Sequence, residues 1–353
     1  MFDQSKLNAA DALFEAQKIA FGPVVFQAAR LLQDWGIFQL LQDNKKGMSV
    51  KDISSTLDLS VYAIEILCES GFSMGALKLE DEKYFITKIG YFLLFDEMTN
   101  VNMNFNHDVN YEGLFYLDKS LKEAKPVGLH NTFSKEKTIY PILSKLPPKV
   151  KDSWFSFDHF YSDAAFNKLV DIMSKKGIEK LLEPGGNTGK WAVSLTKESP
   201  LTSVTILDHQ GQLDVAMSRA KESGVEDRVN GIAIDLLNHS IEFPKGYDGV
   251  WMSQFLDCFP PSDIINILKR SKEALTPNGK VFIVEPFWDR QSHDIGSYCL
   301  INTSPYFTAL ANGTSKMYRA SEFERFIDEA GLKVVEEVNG LGFGHTLMIC
   351  EIK

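Results

Sequence analysis

The sequence predicts an α/β fold: a mostly parallel sheet closed by an antiparallel terminal hairpin, preceded by a mainly helical domain. From Ile178 onward, short apolar runs alternate with helical stretches, which is the pattern of parallel strands joined by crossover helices. Up to about Met173 the apolar residues recur at helical spacing, with one hairpin between them. A chain of 353 residues is long enough for two domains that each bury a core.

Composition and charge narrow the possible functions. Hydrophobic residues make up 44% of the chain and charged residues 24%, as in ordinary globular proteins. The most apolar early stretch, residues 19–32, is interrupted by Gly22, Pro23 and Arg30 and is shorter than the ~20 residues of a membrane span. The formal charge of -10 argues against nucleic acid as a partner. We expect a cytoplasmic protein whose scattered cysteines are reduced and bind no metal.

The N-terminal part begins with two predicted helices. The first starts at about Asn8 and the second runs through residues 24–41, because apolar residues recur every three or four positions. Two shorter helices follow, for which Ser49 and Ser60 are the predicted N-caps. This part of the chain is therefore expected to be a small helical domain.

A β-hairpin follows the two short helices. Residues 76–79 and 84–87 alternate around a polar turn at 80–83. Two helices in a tight corner followed by a hairpin form a winged-helix pattern, and such a unit can bind DNA. The candidate recognition helix, residues 60–69, has no basic residue and two acidic ones, so it would repel phosphates. A packing or dimerisation role fits this domain better.

The C-terminal part contains seven short apolar runs that predict strands. The last two are joined by a glycine-rich turn, and strands joined by so short a turn are antiparallel. The predicted strands are residues 180–183, 204–208, 229–234, 249–252, 280–285, 332–338 and 346–352.

Polar and glycine residues follow the first three of these strands. Gly185, Gly186 and Gly189 stand where the first strand passes into a helix, so the backbone can approach a ligand closely. Asp208 ends the second strand, where a carboxylate can accept hydrogen bonds from both hydroxyls of a ribose. Asp235 follows the third strand, where it can meet an adenine amino group. Since parallel strands end at one edge of a sheet, these groups together predict a cofactor that contains adenosine.

Two details favour S-adenosylmethionine over a dinucleotide. Asn187 occupies the position of the middle glycine in the dinucleotide fingerprint. The acidic Glu183, just before the glycines, suits a cofactor with a positively charged amino-acid end rather than a pyrophosphate. The predicted terminal hairpin, which we do not expect in a simple dehydrogenase domain, agrees with this assignment.

The ordered set of motifs resembles the class I methyltransferases. Within them it is similar to the O-methyltransferases of plant phenolics, hydroxyindoles and bacterial polyketides, in which a winged-helix dimerisation domain precedes a Rossmann-like catalytic domain. The resemblance covers nearly the whole chain. It is carried by residues 183–189, 207–208, 234–236, 279–285, 317–323 and 329–332.

This resemblance implies a division of the chain and further cofactor contacts. Residues 1–100 would form the dimerisation domain of a homodimer, 101–175 a helical linker that contributes to the substrate pocket, and 176–353 the catalytic domain. The implied additional cofactor contacts are His209, Leu236, Ser253 and Gln254.

The resemblance also points to a departure in the catalytic residues. The family places a general-base histidine after the fourth strand, but here Asp257 occupies that position. Burial can raise the pKa of a carboxyl, so we expect Asp257 to be the base or an orienting acceptor, assisted by Glu285. The alternatives are a helix N-cap or loop carboxylate for Asp257 and a solvent-facing charge for Glu285. His159 is a second candidate for the base.

An aromatic segment before the catalytic domain predicts a pocket for a hydrophobic, aromatic small molecule, although core packing between domains also explains it. The region before residue 317 contributes substrate contacts in the family. The predicted substrate contacts are Phe105, Trp154, Phe157, Phe160, Tyr161, Asn302, Tyr306, Phe307 and Asn312.

The predicted function is methyl transfer from S-adenosylmethionine to a hydroxyl, most simply a phenolic one, with S-adenosylhomocysteine as the second product. One alternative keeps the cofactor but methylates a ring carbon, or uses it without methylation, as in a hydroxylation. The other alternative is a winged-helix regulator that senses S-adenosylmethionine and has no enzymatic activity. The acidic recognition helix argues against the regulator.

Overall fold

The computed structural model describes residues 6–353, which belong to two compact units. The first unit ends at Asp108 and the second runs from Val109 to Lys353. The three-part division expected from the sequence, with boundaries near residues 100 and 175, stays a prediction. None of the helices in the described part of the chain is long and apolar enough to cross a membrane.

The first unit is helical with one embedded hairpin, as predicted. Ser49 accepts a hydrogen bond from the backbone N–H of Asp52, and Ser60 accepts one from Ala63, which confirms both N-caps. The elements are α1 (Ala9–Ala20), α2 (Gly22–Asp34), α3 (Ile37–Asp43), α4 (Val50–Leu57), α5 (Val61–Ser73), β1 (Leu77–Glu80), β2 (Lys83–Ile86), α6 (Lys88–Phe95) and α7 (Glu97–Asn104).

The prediction of one continuous helix over residues 24–41 is wrong. Helix α2 ends before Trp35. Gly36 then adopts a left-handed backbone conformation, with a φ of 76°, and redirects the chain into α3. The apolar spacing hid this break because Leu32 and Ile37, on either side of it, are both fully buried in one core. The hydrophobic pattern reports burial, and two short helices can satisfy it as well as one long helix.

The hairpin of the first unit turns more tightly than the sequence indicated. Glu80 pairs with Lys83, so only Asp81 and Glu82 form the turn. Both have positive φ angles, 48° and 59°, which is the conformation that matches the twist of two-residue hairpins.

The second unit begins with short helices and continues into the α/β domain. Its helices and strands are α8 (Leu117–Glu123), α9 (Val127–Thr132), α10 (Pro148–Ser174), β3 (Lys180–Pro184), α11 (Lys190–Glu198), β4 (Ser203–Asp208), α12 (Gln210–Glu222), β5 (Val229–Ala233), β6 (Tyr247–Ser253), α13 (Pro261–Ala274), β7 (Leu275–Glu285), α14 (Asp294–Tyr306), α15 (Ala320–Glu329), β8 (Leu332–Leu341) and β9 (His345–Ile352).

These strands form one seven-stranded sheet in the order β5-β4-β3-β6-β7-β9-β8. Strands β3 to β7 are parallel to one another, and β9 runs antiparallel to both β7 and β8. This confirms the mostly parallel sheet with an antiparallel terminal hairpin. The order reverses between β3 and β6, and open α/β sheets bind ligands outside the carboxyl ends of their strands at such a point.

Two hydrophobic cores cover the two faces of this sheet. One core contains the inner faces of α13 and α15, and the other contains those of α10, α11 and α12. In the second core the indole rings of Trp191 and Trp251 stack with 4.1 Å between their centroids. The two cores leave the carboxyl edge of the sheet to polar residues.

The break at Gly36 offers a test of the first unit. No atom lies within 4 Å of the position that a Cβ on Gly36 would occupy, so only its positive φ opposes a side chain. We expect Gly36→Ala to lower the free energy of unfolding by about 1 kcal/mol, measured by chemical denaturation. Gly22→Ala is the matched control, since its Cβ also meets nothing and its φ is not positive. Equal stabilities of the two variants would contradict this account.

Candidate cofactor and catalytic site

The glycine loop joins β3 to α11 at the carboxyl edge of the sheet. Gly185 has a φ of 74°, and its N–H donates to the carbonyl of Leu207 on β4 over 2.8 Å. A Cβ on Gly186 would lie 2.9 Å from the Cδ of Glu183, so a glycine is needed beside this carboxyl. Asn187, with a φ of 50°, donates its N–H to Oδ2 of Asp208 over 2.8 Å. The backbone of this loop thus lies against the side chains of Glu183 and Asp208.

Glu183 is buried without a full set of partners. It is 4% exposed, and its Oε2 has no hydrogen-bond partner among the described residues. Burial, and then the charge of Asp208, raise the pKa of Glu183 well above its usual range. A buried carboxyl oxygen with no partner is costly unless a ligand satisfies it, and a ligand ammonium group does so.

Asp208 and Asp235 lie after the neighbouring strands. Burial raises the pKa of Asp208, although its carboxylate accepts backbone N–H groups from Asn187 and His209. Asp235 is exposed and accepts the N–H of Leu237 over 3.0 Å. Together with the unpartnered Glu183, these carboxyls form an acidic edge that fits the ammonium group and the ribose of S-adenosylmethionine.

Four more residues were predicted to touch the cofactor. His209 is exposed at the start of α12, and Ser253 ends β6 with a partly buried side chain. Leu236 is 8% exposed and packs into the core beside the sheet, whereas Leu237 is 44% exposed. The contact of Leu236 with the cofactor stays a prediction. Gln254 has a φ of 47°, which is unusual for a residue other than glycine and marks a strained turn after β6.

Glu285 holds the turn that carries Asp257. It ends β7 and is 1% exposed, so the alternative of a solvent-facing charge is wrong. Its Oε1 accepts the backbone N–H groups of Phe255 and Leu256, at 3.1 and 2.8 Å. Its Oε2 is buried without a partner among the described residues. Burial, and then the charge of Asp257, raise the pKa of Glu285 well above its usual range.

Asp257 lies in a short 3₁₀ turn, Leu256–Cys258, and is 7% exposed. The alternative of a helix N-cap is wrong, because α13 begins at Pro261 and its cap is Pro260. The Cys258 thiol lies 3.6 Å from Oδ1 of Asp257. Burial raises the pKa of Asp257 to about 6, despite the hydrogen bonds that lower it. The carboxyl at the position of the family histidine is therefore enclosed, and its pKa lies closer to neutral pH than that of an ordinary aspartate.

Helix α10 brings a further acidic residue to this site, which the sequence did not single out. Trp154 donates its indole N–H to the hydroxyl of Tyr306 over 2.7 Å, which ties α10 to the end of α14. Asp158 follows one helical turn after Trp154, so the two share a face. Burial raises the pKa of Asp158 to about 6; the charge of His159 opposes this rise, and the charge of Asp257 adds to it. His159, the predicted alternative base, is exposed and lies against Phe155.

The other predicted substrate contacts on α10 stack on one another. Phe157 and Tyr161 have ring centroids 5.0 Å apart, and Phe160 stacks on Phe343 at the tip of the terminal hairpin, 4.6 Å away. Phe105 is buried in the first unit, at the start of a π-helical turn. The contacts of Phe160 and Tyr161 with Phe343 join the middle of α10 to the tip of the terminal hairpin.

Besides Tyr306, three predicted contacts follow or belong to α14. Phe307 is 6% exposed. Asn302 is exposed and donates to the carbonyl of Tyr298 on its own helix, so its amide is not directed at the site. Asn312 donates to the carbonyl of Cys258 and to the hydroxyl of Ser315, at 2.7 Å each. The amide of Asn312 thus anchors the turn that carries Asp257.

Besides Asp158, the structure adds two residues that sequence reasoning missed. His345 is 1% exposed, and the side-chain amide of Gln254 donates to its Nε2. Burial lowers the pKa of His345 to about 4, so the ring is neutral at pH 7. Tyr140 places a buried hydroxyl near Cys258; it makes no hydrogen bond of ordinary geometry, and burial raises its pKa. Neither residue belongs to a sequence motif, so no local signal could have found them.

Comparison with known proteins places this geometry in a family. Residues 14–84 match the model of the Dimerisation2-like domain, and residues 161–333 match that of the O-methyltransferase domain. The L-tyrosine C(3)-methyltransferase of Streptomyces lavendulae is 27% identical over 318 residues, which cover 89% of this chain and 85% of that protein.

Two solved structures share the fold across nearly the whole length. The S-adenosylmethionine-dependent methyltransferase SibL in its apo form superimposes with a TM-score of 0.71 at 23% identity, covering 95% of this chain and 98% of that one. An O-methyltransferase from neocarzinostatin biosynthesis, in complex with S-adenosylmethionine and 2-hydroxy-5-methyl naphthoic acid, gives 0.66 at 16% identity, covering 93% and 96%. With its two matched domains, this fold and the acidic edge that fits the cofactor, the chain belongs to the S-adenosylmethionine-dependent methyltransferases of the O-methyltransferase-domain family.

Proposed function

We propose that this methyltransferase acts on a hydroxylated aromatic small molecule and methylates the ring carbon beside the hydroxyl. The observation that carries the proposal is the enclosed carboxyl of Asp257 at the position of the family's base. A base with a pKa near 6 is better matched to a phenol than an ordinary aspartate, whose pKa is about 3.9. Loss of the phenolic proton makes both the oxygen and the neighbouring ring carbon more nucleophilic.

The chain's own residues have separate roles in this reaction. Asp257 accepts the proton of the aromatic hydroxyl and holds the oxygen, while Glu285 positions the turn through the N–H groups of Phe255 and Leu256. The surrounding aromatic side chains exclude water from the ring. When bound, S-adenosylmethionine would supply a methyl group on a positively charged sulfur and become neutral S-adenosylhomocysteine. The hydrogen on the methylated ring carbon then leaves as a proton, which restores the aromatic ring, and the proton held by Asp257 returns to the oxygen. Much of the rate would then come from positioning.

Two observations support carbon, rather than oxygen, as the atom that is methylated. The histidine that serves O-methylation in the family is replaced by Asp257. One relative that matches over most of both chains is a C(3)-methyltransferase of tyrosine, a phenol. Transfer to the oxygen is the second candidate, since the matched catalytic model is an O-methyltransferase domain. Ultraviolet absorbance distinguishes the two products. A C-methylated phenol keeps its ionisable hydroxyl, so its absorbance changes with pH, whereas the absorbance of an O-methylated product does not.

We further propose a homodimer formed through the first unit. Its matched model is a dimerisation domain, and α1 buries none of its side chains within the described chain. Leu13, Phe14 and Ile19 on this helix are 62%, 58% and 81% exposed. Apolar side chains exposed to this degree along one helix are typical of an interface.

The proposed cofactor contacts divide into two groups with different partners. We assign Asp208 and Asp235 to the adenosine part, and Glu183 to the ammonium of the amino-acid part, with the glycine loop, Ser253 and Gln254 completing the site. We expect Glu183→Gln to weaken S-adenosylhomocysteine at least tenfold but to leave 5′-methylthioadenosine, which lacks the amino-acid part, within about twofold. Asp208→Asn should weaken both ligands. Isothermal titration calorimetry measures each affinity.

Asp214→Asn is the matched control for the cofactor assignments, because Asp214 is exposed on α12 and bonds to Gln210. It should bind both ligands as the wild type does. Equal losses of the two ligands in Glu183→Gln would contradict the assignment of Glu183 to the ammonium group.

The role of Asp257 predicts a pH dependence. A carboxylate base acts when deprotonated, so kcat/KM should rise with pH through an apparent pKa of about 6. Asp257→Asn should lower kcat at least about 100-fold, remove this rise, and leave the affinity for S-adenosylhomocysteine unchanged. Steady-state rates from pH 5 to 9 give both quantities. Full activity of the variant would rule out Asp257 as the base.

The same substitution should stabilise the fold above pH 6. Burial raises the pKa of Asp257 from 3.8 to about 6, so the wild type loses stability as the pH rises from about 4 to 6. Asn carries no charge, and we expect Asp257→Asn to gain at most about 3 kcal/mol of unfolding free energy at pH 7.5 and little at pH 4. Chemical denaturation across this range measures the gain. A gain independent of pH would contradict the buried ionised form.

A further inference from the structure

Gln254 joins β6 to the catalytic turn, residues 255–258, and its backbone has an uncommon conformation. Its φ is 47°, in the left-handed region that residues other than glycine seldom adopt. Such a conformation persists where the surrounding contacts fix it. The N–H of Gln254 donates to the carbonyl of Val284 on β7 over 2.9 Å, and its side-chain amide donates to Nε2 of His345. Hydrogen bonds from both its backbone and its side chain therefore hold this residue.

His345, which begins β9, is a fixed acceptor for this amide. It is 1% exposed and pairs with Leu341 across the turn of the terminal hairpin, while the next residue, Thr346, pairs with Glu285 on β7. The Nδ1 of His345 interacts with the carbonyl of Leu341, outside ordinary hydrogen-bond geometry. A neutral imidazole protonated at Nδ1 accepts at Nε2. The register of β9 thus sets where this acceptor lies.

The turn of the terminal hairpin is itself held from two sides. The side-chain amide of Gln291 donates to the carbonyls of Phe287 and Gly344, at 2.8 Å each. On the other side, a Cβ on Gly342 would lie 2.6 Å from the backbone nitrogen of Ala165, so the turn packs closely on α10. Because the hairpin turn is fixed in this way, its histidine can hold the residue after β6 rather than follow it.

Phe255, directly after Gln254, connects this backbone conformation to the cofactor loop. A Cβ on Gly185 would overlap the ring of Phe255, so the ring packs directly on the backbone of the glycine loop. The N–H of Phe255 donates to Oε1 of Glu285 over 3.1 Å. A change in the backbone of Gln254 would therefore move the ring against Gly185 and shift the turn that carries Asp257.

We propose that His345 is a positioning residue of this methyltransferase: by holding the side chain of Gln254, it keeps Phe255 on the glycine loop and the catalytic turn at the cofactor edge. His345 acts through Gln254, and what it supplies is an acceptor at Nε2 rather than a charge or a proton. Burial keeps the ring neutral at pH 7, as this role requires. The role is the same whichever atom of the acceptor molecule is methylated.

A pair of substitutions at His345 tests the need for this acceptor. In His345→Gln the side-chain oxygen extends about as far from the backbone as Nε2 does, whereas His345→Leu fills similar space without an acceptor. Isothermal titration calorimetry on the full chain should show S-adenosylhomocysteine bound at least about fivefold more weakly by His345→Leu, and within about twofold of the wild type by His345→Gln. Should His345→Leu not fold, His345→Asn, whose amide is too short to reach, replaces it.

A glycine substitution at Gln254 separates positioning from packing. Glycine adopts a positive φ without strain, and Gln254→Gly leaves no side chain for His345 to hold. In that background, adding His345→Leu should weaken S-adenosylhomocysteine by less than about twofold further. A histidine that only fills space would cause the same fold loss in both backgrounds. His239→Leu is the control, since His239 is exposed and lies 3.1 Å from Asp263; it should bind as the wild type does.

Three results would overturn the role of His345: unchanged affinity in His345→Leu, equal losses in His345→Leu and His345→Gln, or the same loss in both backgrounds. Melting curves establish that each variant is folded. The binding measurement needs no methyl acceptor, so its failure leaves the proposed reaction at Asp257 untouched. Failure of that reaction would in turn leave the role of His345 in place.

Discussion

The geometry of the site depends on one buried carboxyl, which accepts hydrogen bonds from two backbone N–H groups. Glu285, at the end of β7, holds the turn that follows the neighbouring strand β6. Hydrogen bonds to a carboxyl in a low-dielectric interior are stronger than those in water, and removing one partner leaves the others unsatisfied. Because Asp257 belongs to this turn, its position relative to the carboxyl edge of the sheet follows from Glu285. A second hydrogen bond, from the side-chain amide of Asn312 to the carbonyl of Cys258, also holds this turn.

Without a bound ligand, the buried carboxyls of the site lower the stability of the protein. Burial raises the pKa values of Glu183, Asp158, Asp257 and Glu285, and no ion pair within the described chain compensates the last three. Groups of this kind persist where a ligand completes them, and here the family's cofactor is itself cationic. Binding is then expected to relieve the repulsion among the carboxyls, so that affinity and stability are linked through the same groups.

Aromatic contacts connect the catalytic turn to the far end of the sheet. The terminal hairpin presents Phe343, on which Phe160 of α10 stacks. The two preceding turns of the same helix carry Trp154, Phe157 and Asp158. His345, just after the hairpin tip, accepts a hydrogen bond from Gln254 beside the catalytic turn. The antiparallel hairpin therefore does more than close the sheet, since its tip contacts α10 through Phe343 and the exit of β6 through His345.

Much of this protein was determined by local patterns in its sequence. Alternating apolar runs, the glycine loop and the acidic residues after successive strands predicted the sheet, its terminal hairpin and a cofactor edge, because strand period and strand ends are local properties. Helical periodicity could not reveal the break at Gly36, since buried residues continue on both sides of it. Only the tertiary structure decided that Glu285 is buried, that Asp158 comes within range of the charge of Asp257, and that His345 meets Gln254. These pairs join segments far apart in the chain, and contacts of this kind are set by packing rather than by the residues next to them.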